Sequence, residues 1–249
     1  MHHLKQKPFM AALGFLILFA ASCSTTYVPI TAEHAGYRIS DSLNRDTFMQ
    51  TLMRPYRDSV DRSMNQVIGI ADKSLEKRQP EGTLGNFMAD AMLYGARHLN
   101  PDAAFVNYGG IRITQLAAGE ITRSKVFELM PFDNIVVVQK MKGSVLQQFL
   151  NLTAEKGGWP VSGITMEIKN KKAVNVRIGG QPLDLNKTYT IVNSDYVANG
   201  GDNAAMLKAI PIQTEGYLMR DAIFDYIDYL KFAGKQISAN IENRVINAE

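Results

Sequence analysis

From residue 67 onward, short apolar segments with strand character alternate with amphipathic segments of helical period, and the alternation is irregular. Residues 103–106 and 135–138 are uninterrupted apolar runs, which predict fully buried strands. Segments 164–168 and 173–178 alternate apolar and polar residues around Asn170-Lys-Lys172, which predicts a hairpin. A doubly wound fold would repeat strand and helix regularly. This order instead predicts an α+β fold, a mixed sheet with flanking helices.

The helical segments set the expected domain boundaries. Residues 41–64 carry apolar side chains at helical spacing and predict an amphipathic helix. Thr83 is the predicted N-cap of a second helix, because its hydroxyl can accept from an unpaired backbone N–H. Residues 217–232 predict a C-terminal helix that ends before Gly234. We therefore expect a signal over 1–22, a tether over 23–40, a helical arm over 41–66 and one domain over 67–249.

The N-terminus predicts export. Residues 9–22 are apolar, too short to span a bilayer comfortably, and follow a short basic region, as in a secretory signal. Cys23, the only cysteine, comes directly after Ala20-Ala-Ser22, and the segment resembles a bacterial lipoprotein signal, in which that cysteine is acylated. Ala20 stands where leucine is favoured, and ordinary secretion with an incidental cysteine is the alternative. This resemblance predicts membrane attachment through a lipid anchor on the bacterial cell envelope. Nothing acidic follows Cys23 to indicate export to the cell surface, so we expect the periplasmic face of the outer membrane.

Charge and histidine content exclude several functional classes. Without Lys5 and Lys7 the chain has 25 basic and 24 acidic residues, and no segment interleaves basic and aromatic residues, so no nucleic-acid partner is expected. Metal centres gather several His, Asp or Glu ligands, but His98 is the only histidine beyond the signal and tether. We expect no metal site and no cofactor in this chain, and a Ser-His-Asp triad finds no supporting motif.

Two glycine loops follow predicted strands and carry candidate binding groups. In Asn107-Tyr-Gly109-Gly110-Ile-Arg112 the glycines would let the backbone turn and approach a ligand, Asn107 can donate and accept, and Arg112 offers a planar fork of donors to a phosphate. In Asn199-Gly-Gly-Asp202 the carboxylate can accept from two ribose hydroxyls. A surface arginine and a helix-capping aspartate are the structural alternatives for these two loops.

Phe132 and Tyr196 lie in or beside such loops. Aromatic side chains at exposed positions can stack on a base, with a contribution of about 1–3 kcal/mol per base. The alternative is that both rings pack in the core.

The order of these motifs resembles the C-terminal domain of the 5′-nucleotidase family, which also includes UDP-sugar hydrolases and 2′,3′-cyclic phosphodiesterases. The resemblance covers roughly residues 67–232 and rests on five separated motifs. They are Arg78, Leu84-Gly-Asn86, Asn107-x-Gly-Gly-Ile-Arg112, Pro131-Phe132 and Tyr196-x-Ala-Asn-Gly-Gly-Asp202.

The resemblance implies a role for each matching residue. Arg78 and Arg112 would bind the substrate phosphate, Asn107 the base, and Asp202 the ribose hydroxyls, while Phe132 and Tyr196 would enclose the base. Tyr196 replaces the usual phenylalanine, which preserves the flat face. Tyr108 stands where a small residue is usual, and a ring there could narrow the pocket.

The family's N-terminal metallophosphatase domain, which holds the catalytic metals, is not expected in the residues before 67. The resemblance thus implies a chain that is not catalytic alone. One hypothesis is a nucleotide- or nucleoside-binding subunit of a split phosphohydrolase, with divalent metals held by a separate metallophosphatase polypeptide. The second is a free-standing nucleotide-binding lipoprotein of the envelope. The third, a degenerate domain with a structural role, is disfavoured because the binding residues occur together.

Overall fold

A computed structural model describes residues 34–38, 40 and 46–248. Cys23, the predicted signal and most of the predicted tether lie outside the described residues. The helices are α1 (Thr47–Met64), α2 (Thr83–Gly95), α3 (Arg123–Leu129), α4 (Gly143–Glu155), α5 (Asp195–Ala198) and α6 (Met219–Phe232).

The strands all lie within the compact unit Thr51–Glu249. They are β1 (Val67–Ala71), β2 (Leu75–Glu76), β3 (Ala103–Phe105), β4 (Gln115–Leu116), β5 (Gly119–Thr122), β6 (Val136–Lys142), β7 (Val161–Ser162), β8 (Ile164–Lys169), β9 (Lys172–Ile178), β10 (Gln181–Pro182), β11 (Thr188–Ser194), β12 (Ile212–Gln213) and β13 (Val245–Asn247).

Two mixed sheets dominate the fold. The larger has the order β12-β6-β11-β3-β7, in which only β11 and β3 are parallel. The second has the order β10-β9-β8-β13, with β13 parallel to β8. Two-stranded pairs join β1 to β5 and β2 to β4. The predicted α+β fold with mixed sheets is confirmed.

The five-stranded sheet separates two hydrophobic cores. Val136, Val138 and Val192 face a core with α2, α3 and α6. Met141 and Ile191 face a second core that contains α4 and the inner face of the four-stranded sheet. Because side chains alternate along a strand, a strand with cores on both sides must be apolar at nearly every position. This explains the uninterrupted apolar runs of the sequence.

Local sequence patterns account for several element ends. The β8–β9 hairpin turns at Asn170 and Lys171, both with positive φ (49° and 60°), as a two-residue hairpin loop requires. Helix α6 ends before Gly234, whose φ of 68° turns the chain so that the N–H of Lys235 bonds to the carbonyl of Leu230 at 2.8 Å. Helix α1 forms as predicted, and no residue of it is buried within the described part of the chain.

One local prediction is wrong. Thr83 is the first residue of α2 rather than its cap, and Gly82 occupies the N-cap position. The Thr83 hydroxyl instead accepts from the backbone N–H of Glu76 at 2.8 Å. A Cβ on residue 82 would lie 2.4 Å from the backbone nitrogen of Arg78, so this close approach selects glycine at the helix start.

Candidate functional site

Three chain segments leave the five-stranded sheet at one edge. In the antiparallel β6–β11 pair Val136 lies opposite Ser194, so the segment before β6 and the segment after β11 emerge together. Strand β3 is parallel to β11, with Ala104 opposite Val192, so its carboxyl end points the same way. The topology therefore brings the loops of Phe132, Tyr196 and Asn107 to a common edge.

Asp195 joins two of these loops. Its carboxylate accepts from the N–H of Ile135 at 2.9 Å, and its own N–H donates to the Ile135 carbonyl at 3.0 Å. Phe132 lies three residues before Ile135, and Tyr196 follows Asp195 directly. Both rings are exposed, 42% for Phe132 and 47% for Tyr196. Neither ring is therefore packed in the core, which was the alternative interpretation.

Arg220 holds the Phe132 loop in place through three hydrogen bonds. Its side chain is buried, and it donates to the carbonyls of Met130 and Phe132, both at 3.3 Å, and to the carboxylate of Asp133 at 2.7 Å. The guanidinium also lies 4.3 Å from the ring centroid of Phe127. An irregular segment between α3 and β6 is thus held by one buried cation. Arg220 falls among the buried residues of α6, and the sequence analysis did not single it out.

Asn107 and Asp202 contact each other across two loops. Asn107 is only 7% exposed, and its Nδ2 donates to the Asp202 carboxylate at 3.0 Å. The other carboxylate oxygen of Asp202 accepts from the Tyr196 hydroxyl at 3.4 Å, and the Asp202 N–H donates to that hydroxyl at 3.3 Å. Asp202 has a φ of 53°, the left-handed region that few side chains adopt. An amide, a carboxylate and an exposed ring are thereby held side by side.

The glycines of both loops have separate steric reasons. A Cβ on Gly110 would lie 2.7 Å from Asn107 Oδ1, whereas one on Gly109 would meet nothing closer than 3.9 Å. Neither of these two glycines has a positive φ, so the turn at 108–110 is an ordinary 3₁₀ turn. Gly200 does need its φ of 88°, and a Cβ on Gly201 would lie 2.5 Å from the Tyr196 ring. The Tyr196 ring therefore packs directly on backbone.

Two cationic side chains, those of Arg112 and Lys77, lie beside this edge. Arg112 donates to the Gly109 carbonyl at 3.3 Å, and its guanidinium carbon lies 5.4 Å from the Phe132 ring centroid. Lys77 Nζ donates to the Ile111 carbonyl at 2.8 Å and lies 4.2 Å from the Tyr108 ring centroid. Burial, and then the positive charge of Arg112, lower the pKa of Lys77. Two cations close enough to repel each other are a favourable place for an anion.

Arg78 does not join this contact network. It is exposed in the loop between β2 and α2, and its guanidinium makes no hydrogen bond or ion pair with the described residues. Its neighbour Lys77, which the sequence analysis did not single out, is the residue that contacts the Asn107–Arg112 loop. The β2–β4 pairing produces this result, because the Lys77 N–H is bonded to the carbonyl of Thr114.

Other features of the described residues lie elsewhere. Within 34–38, 40 and 46–248 no group of three His, Cys, Asp or Glu side chains is arranged as metal ligands, and no helix could cross a membrane. His98 is exposed and lies 3.2 Å from Glu215. A cleft of about 470 Å³ lies on the four-stranded sheet between Glu167, Asn175 and Arg177 and includes none of the predicted site residues.

Comparison with known proteins identifies the family. Residues 63–209 match the family described as the C-terminal domain of 5′-nucleotidase. The 5′-nucleotidase of Vibrio vulnificus is 32% identical over 70% of this chain and 32% of its own length. A cell wall protein of Listeria monocytogenes, Lmo0130, is 29% identical over 76% of this chain and 28% of its own.

A solved structure supports the same assignment. The 5′-nucleotidase precursor of Thermus thermophilus superposes with a TM-score of 0.72 and 29% identity, over 81% of this chain and 43% of that chain. The chain spans about a third of the length of the first curated relatives it matches. The matched region includes all the loops that carry the predicted site residues, and the chain belongs to the 5′-nucleotidase C-terminal domain family.

Proposed function

We propose that this chain binds a nucleotide or nucleoside at the edge formed by the loops of Asn107, Phe132 and Tyr196. The observation that carries the proposal is the pair of exposed rings beside the hydrogen-bonded Asn107–Asp202 pair. A flat apolar base suits the rings, and an amide beside a carboxylate suits polar base edges and a vicinal diol.

The phosphate would lie toward Arg112. A guanidinium can donate two parallel hydrogen bonds to a phosphate, and Lys77 adds a second charge near it. Burial lowers the pKa of Lys77 most and the positive charge of Arg112 lowers it further; an anion between the two groups would relieve that repulsion. Arg78 is the next residue and is exposed, so its side chain has room to turn toward a longer ligand. A contact between Arg78 and the phosphate stays a prediction.

The chain would act as the binding subunit of a split 5′-nucleotidase-like phosphohydrolase, in nucleotide catabolism. A separate metallophosphatase polypeptide would supply two metals that polarise the phosphoryl group and activate water. The hypothesis is supported by the exposure of Gly109, where an added Cβ would meet only Asn107 Nδ2, at 3.9 Å. The exposed apolar residues of α1, among them Phe48, Leu52 and Tyr56, offer a further area that a protein partner can cover.

Binding is tested with the chain expressed without residues 1–23. Calorimetric titration with adenosine, 5′-AMP and UDP-glucose should give saturable binding that is stronger for 5′-AMP than for adenosine. The same preparation with zinc, manganese or cobalt should hydrolyse none of them above background. Failure to bind any nucleoside or nucleotide would refute the proposal, and a rate abolished by chelator would refute the division of labour.

A second titration separates the split enzyme from the free-standing nucleotide-binding lipoprotein. Addition of a separately encoded metallophosphatase should restore turnover, and bound nucleotide should strengthen the association, because a ligand shared by two surfaces couples their equilibria. Arg112→Ala should reduce turnover of the pair. If nucleotides bind but no metallophosphatase associates, the chain acts as a free-standing nucleotide-binding lipoprotein.

The envelope location belongs to the same proposal. The Lmo0130 relative is named a cell wall protein, and the Vibrio relative a 5′-nucleotidase. Several acyl chains on Cys23 would hold the domain firmly at a membrane, since each buried methylene adds about 0.8 kcal/mol.

A further inference from the structure

Two carboxamide side chains are buried in an otherwise apolar face of the five-stranded sheet. Gln139 on β6 and Asn193 on β11 are both 0% exposed, on the face that also carries Met141 and Ile191. Burying an amide costs free energy unless its polar atoms are hydrogen-bonded, and asparagine is unfavourable in strands. The sequence therefore keeps two unfavourable residues at positions where aliphatic side chains would fit the pattern.

Gln139 bonds to the chain segment that carries Asp202, and Asn193 bonds to Gln139. Gln139 Nε2 donates to the carbonyls of Leu207 and Ile210, each at 3.0 Å. Carbonyls only accept, so the amide nitrogen of Gln139 must face them and its oxygen must face Asn193. Asn193 Nδ2 supplies the matching donor at 3.1 Å. Among the described residues Asn193 Oδ1 has no hydrogen-bond partner. The amide of Asn193 thus makes one bond, from Nδ2, and that bond orients Gln139.

The segment over residues 199–210 has little regular structure of its own. Asp202 and Asn203 both have positive φ (53° and 69°), and only single 3₁₀ turns follow. Such a segment needs tertiary contacts to hold one conformation. On the outer side Asp202 is held by Asn107 and Tyr196. On the inner side Gln139 is the side chain that bonds to the backbone where the segment returns to the sheet.

We propose that Gln139 and Asn193 are positioning residues, which hold the 199–210 segment so that the Asp202 carboxylate meets both ribose hydroxyls. They would thus set the selectivity of the site for a vicinal diol without touching the ligand. This rests on the proposed function, in which Asp202 accepts from the ribose. A displacement of the segment would weaken hydrogen bonds to the diol and leave stacking of the base on Phe132 and Tyr196 intact.

The test compares adenosine with 2′,3′-dideoxyadenosine, which keeps the base and lacks the diol. In Gln139→Met both donors to the segment are lost, and in Asn193→Leu the group that orients Gln139 is lost. Each variant should lose at least fivefold in adenosine affinity and less than twofold in dideoxyadenosine affinity. Asn193→Leu leaves both Gln139 donors in place, and it serves alone if the methionine variant does not fold.

Thr153→Val is the matched control for loss of a buried hydrogen bond. Thr153 is fully buried in α4 and donates to the carbonyl of Leu150 in the same helix at 2.9 Å, so its hydrogen bond does not involve the 199–210 segment. It should lower the melting temperature and leave the ratio of the two affinities at the wild-type value. If Gln139 and Asn193 variants also keep that ratio, their role is structural only and the inference is overturned.

The wild-type titrations separate the two levels of the proposal. Binding of adenosine with no preference over dideoxyadenosine would overturn both the Asp202 role and this inference, while base binding survives. Absence of any binding would overturn the proposed function itself. A wild-type preference that the Gln139 and Asn193 variants retain overturns this inference alone.

Discussion

Gly110→Ala is a single-methyl change whose effect can be worked out from the geometry. The new Cβ would lie 2.7 Å from Asn107 Oδ1, a distance that real side chains do not tolerate, so the Asn107 amide must rotate. Rotation breaks its 3.0 Å hydrogen bond to the Asp202 carboxylate. A hydrogen bond to a charged group contributes about 1.5–3 kcal/mol. Since both groups are proposed to contact the ligand, nucleoside affinity should fall about 10- to 150-fold.

Two controls isolate the clash. Gly109→Ala adds the same methyl in open space and without a positive φ, so it should leave the melting temperature unchanged or raise it slightly by restricting the unfolded chain. Removing the Asn107 side chain removes the atom that the methyl would meet. In an Asn107→Ala background, Gly110→Ala should therefore cost little further affinity by calorimetry. If Gly110→Ala binds like wild type, or costs as much in that background, the reasoning is refuted.

Three further predictions concern base stacking, the charge of Lys77 and the lipid anchor. Phe132→Ala and Tyr196→Ala should each lower nucleotide affinity by about 1–3 kcal/mol, and Tyr196→Phe should keep it; unchanged titrations for both alanine variants would contradict stacking. A phosphate beside Lys77 should raise its lowered pKa, so 5′-AMP binding should take up protons and weaken as pH rises toward 10.5. That slope should disappear in Lys77→Met. Metabolic labelling with a fatty-acid probe should mark wild type and not Cys23→Ser, and equal labelling would refute acylation.

The pH prediction for Lys77 has a counterpart in folding. Its folded pKa is lower than its unfolded value of 10.5, so the unfolded chain binds more protons between the two values. The contribution of Lys77 to the free energy of unfolding therefore rises with pH through that window, because the amine loses its proton in the folded chain and its charge is unfavourable there. Under the proposed function, a bound phosphate would favour the charged amine and so raise the pKa of Lys77.

Periodicity predicted most elements because burial determines them. The apolar runs before Asn107 and after Asn134 became central strands with cores on both sides, and the alternation around Asn170 became a hairpin. Helix starts were less predictable. Thr83 has the right side chain for a cap, but a neighbouring strand supplies a donor for its hydroxyl and tight backbone contact selects glycine before it. Tertiary contacts that no local pattern encodes decided that position.

The candidate site shows the same contrast between residues that a local pattern predicts and residues that tertiary contacts decide. Gly-Gly loops after apolar runs led to the prediction of Asn107, Arg112 and Asp202, because loops at strand ends have a recognisable sequence. The residues that hold those loops in place, such as Arg220, have no such signature. An arginine on a helix face reads as a surface residue until the structure shows the carbonyls around it. Supporting residues are chosen by the geometry of the loop they fix, which depends on the whole fold.

Lys77 and Arg78 show how far a motif can carry an assignment. A one-residue difference in the backbone path decides which side chain faces the Asn107–Arg112 loop, and the pairing of β2 with β4 directs Lys77 there. Side chains on opposite sides of an extended backbone point in opposite directions, so two adjacent cations cannot both contact the same carbonyl. If a phosphate binds here, Lys77 is its preorganised contact and Arg78 contributes by moving. Loss of Lys77 should then lower affinity for 5′-AMP more than loss of Arg78, and leave adenosine binding alone.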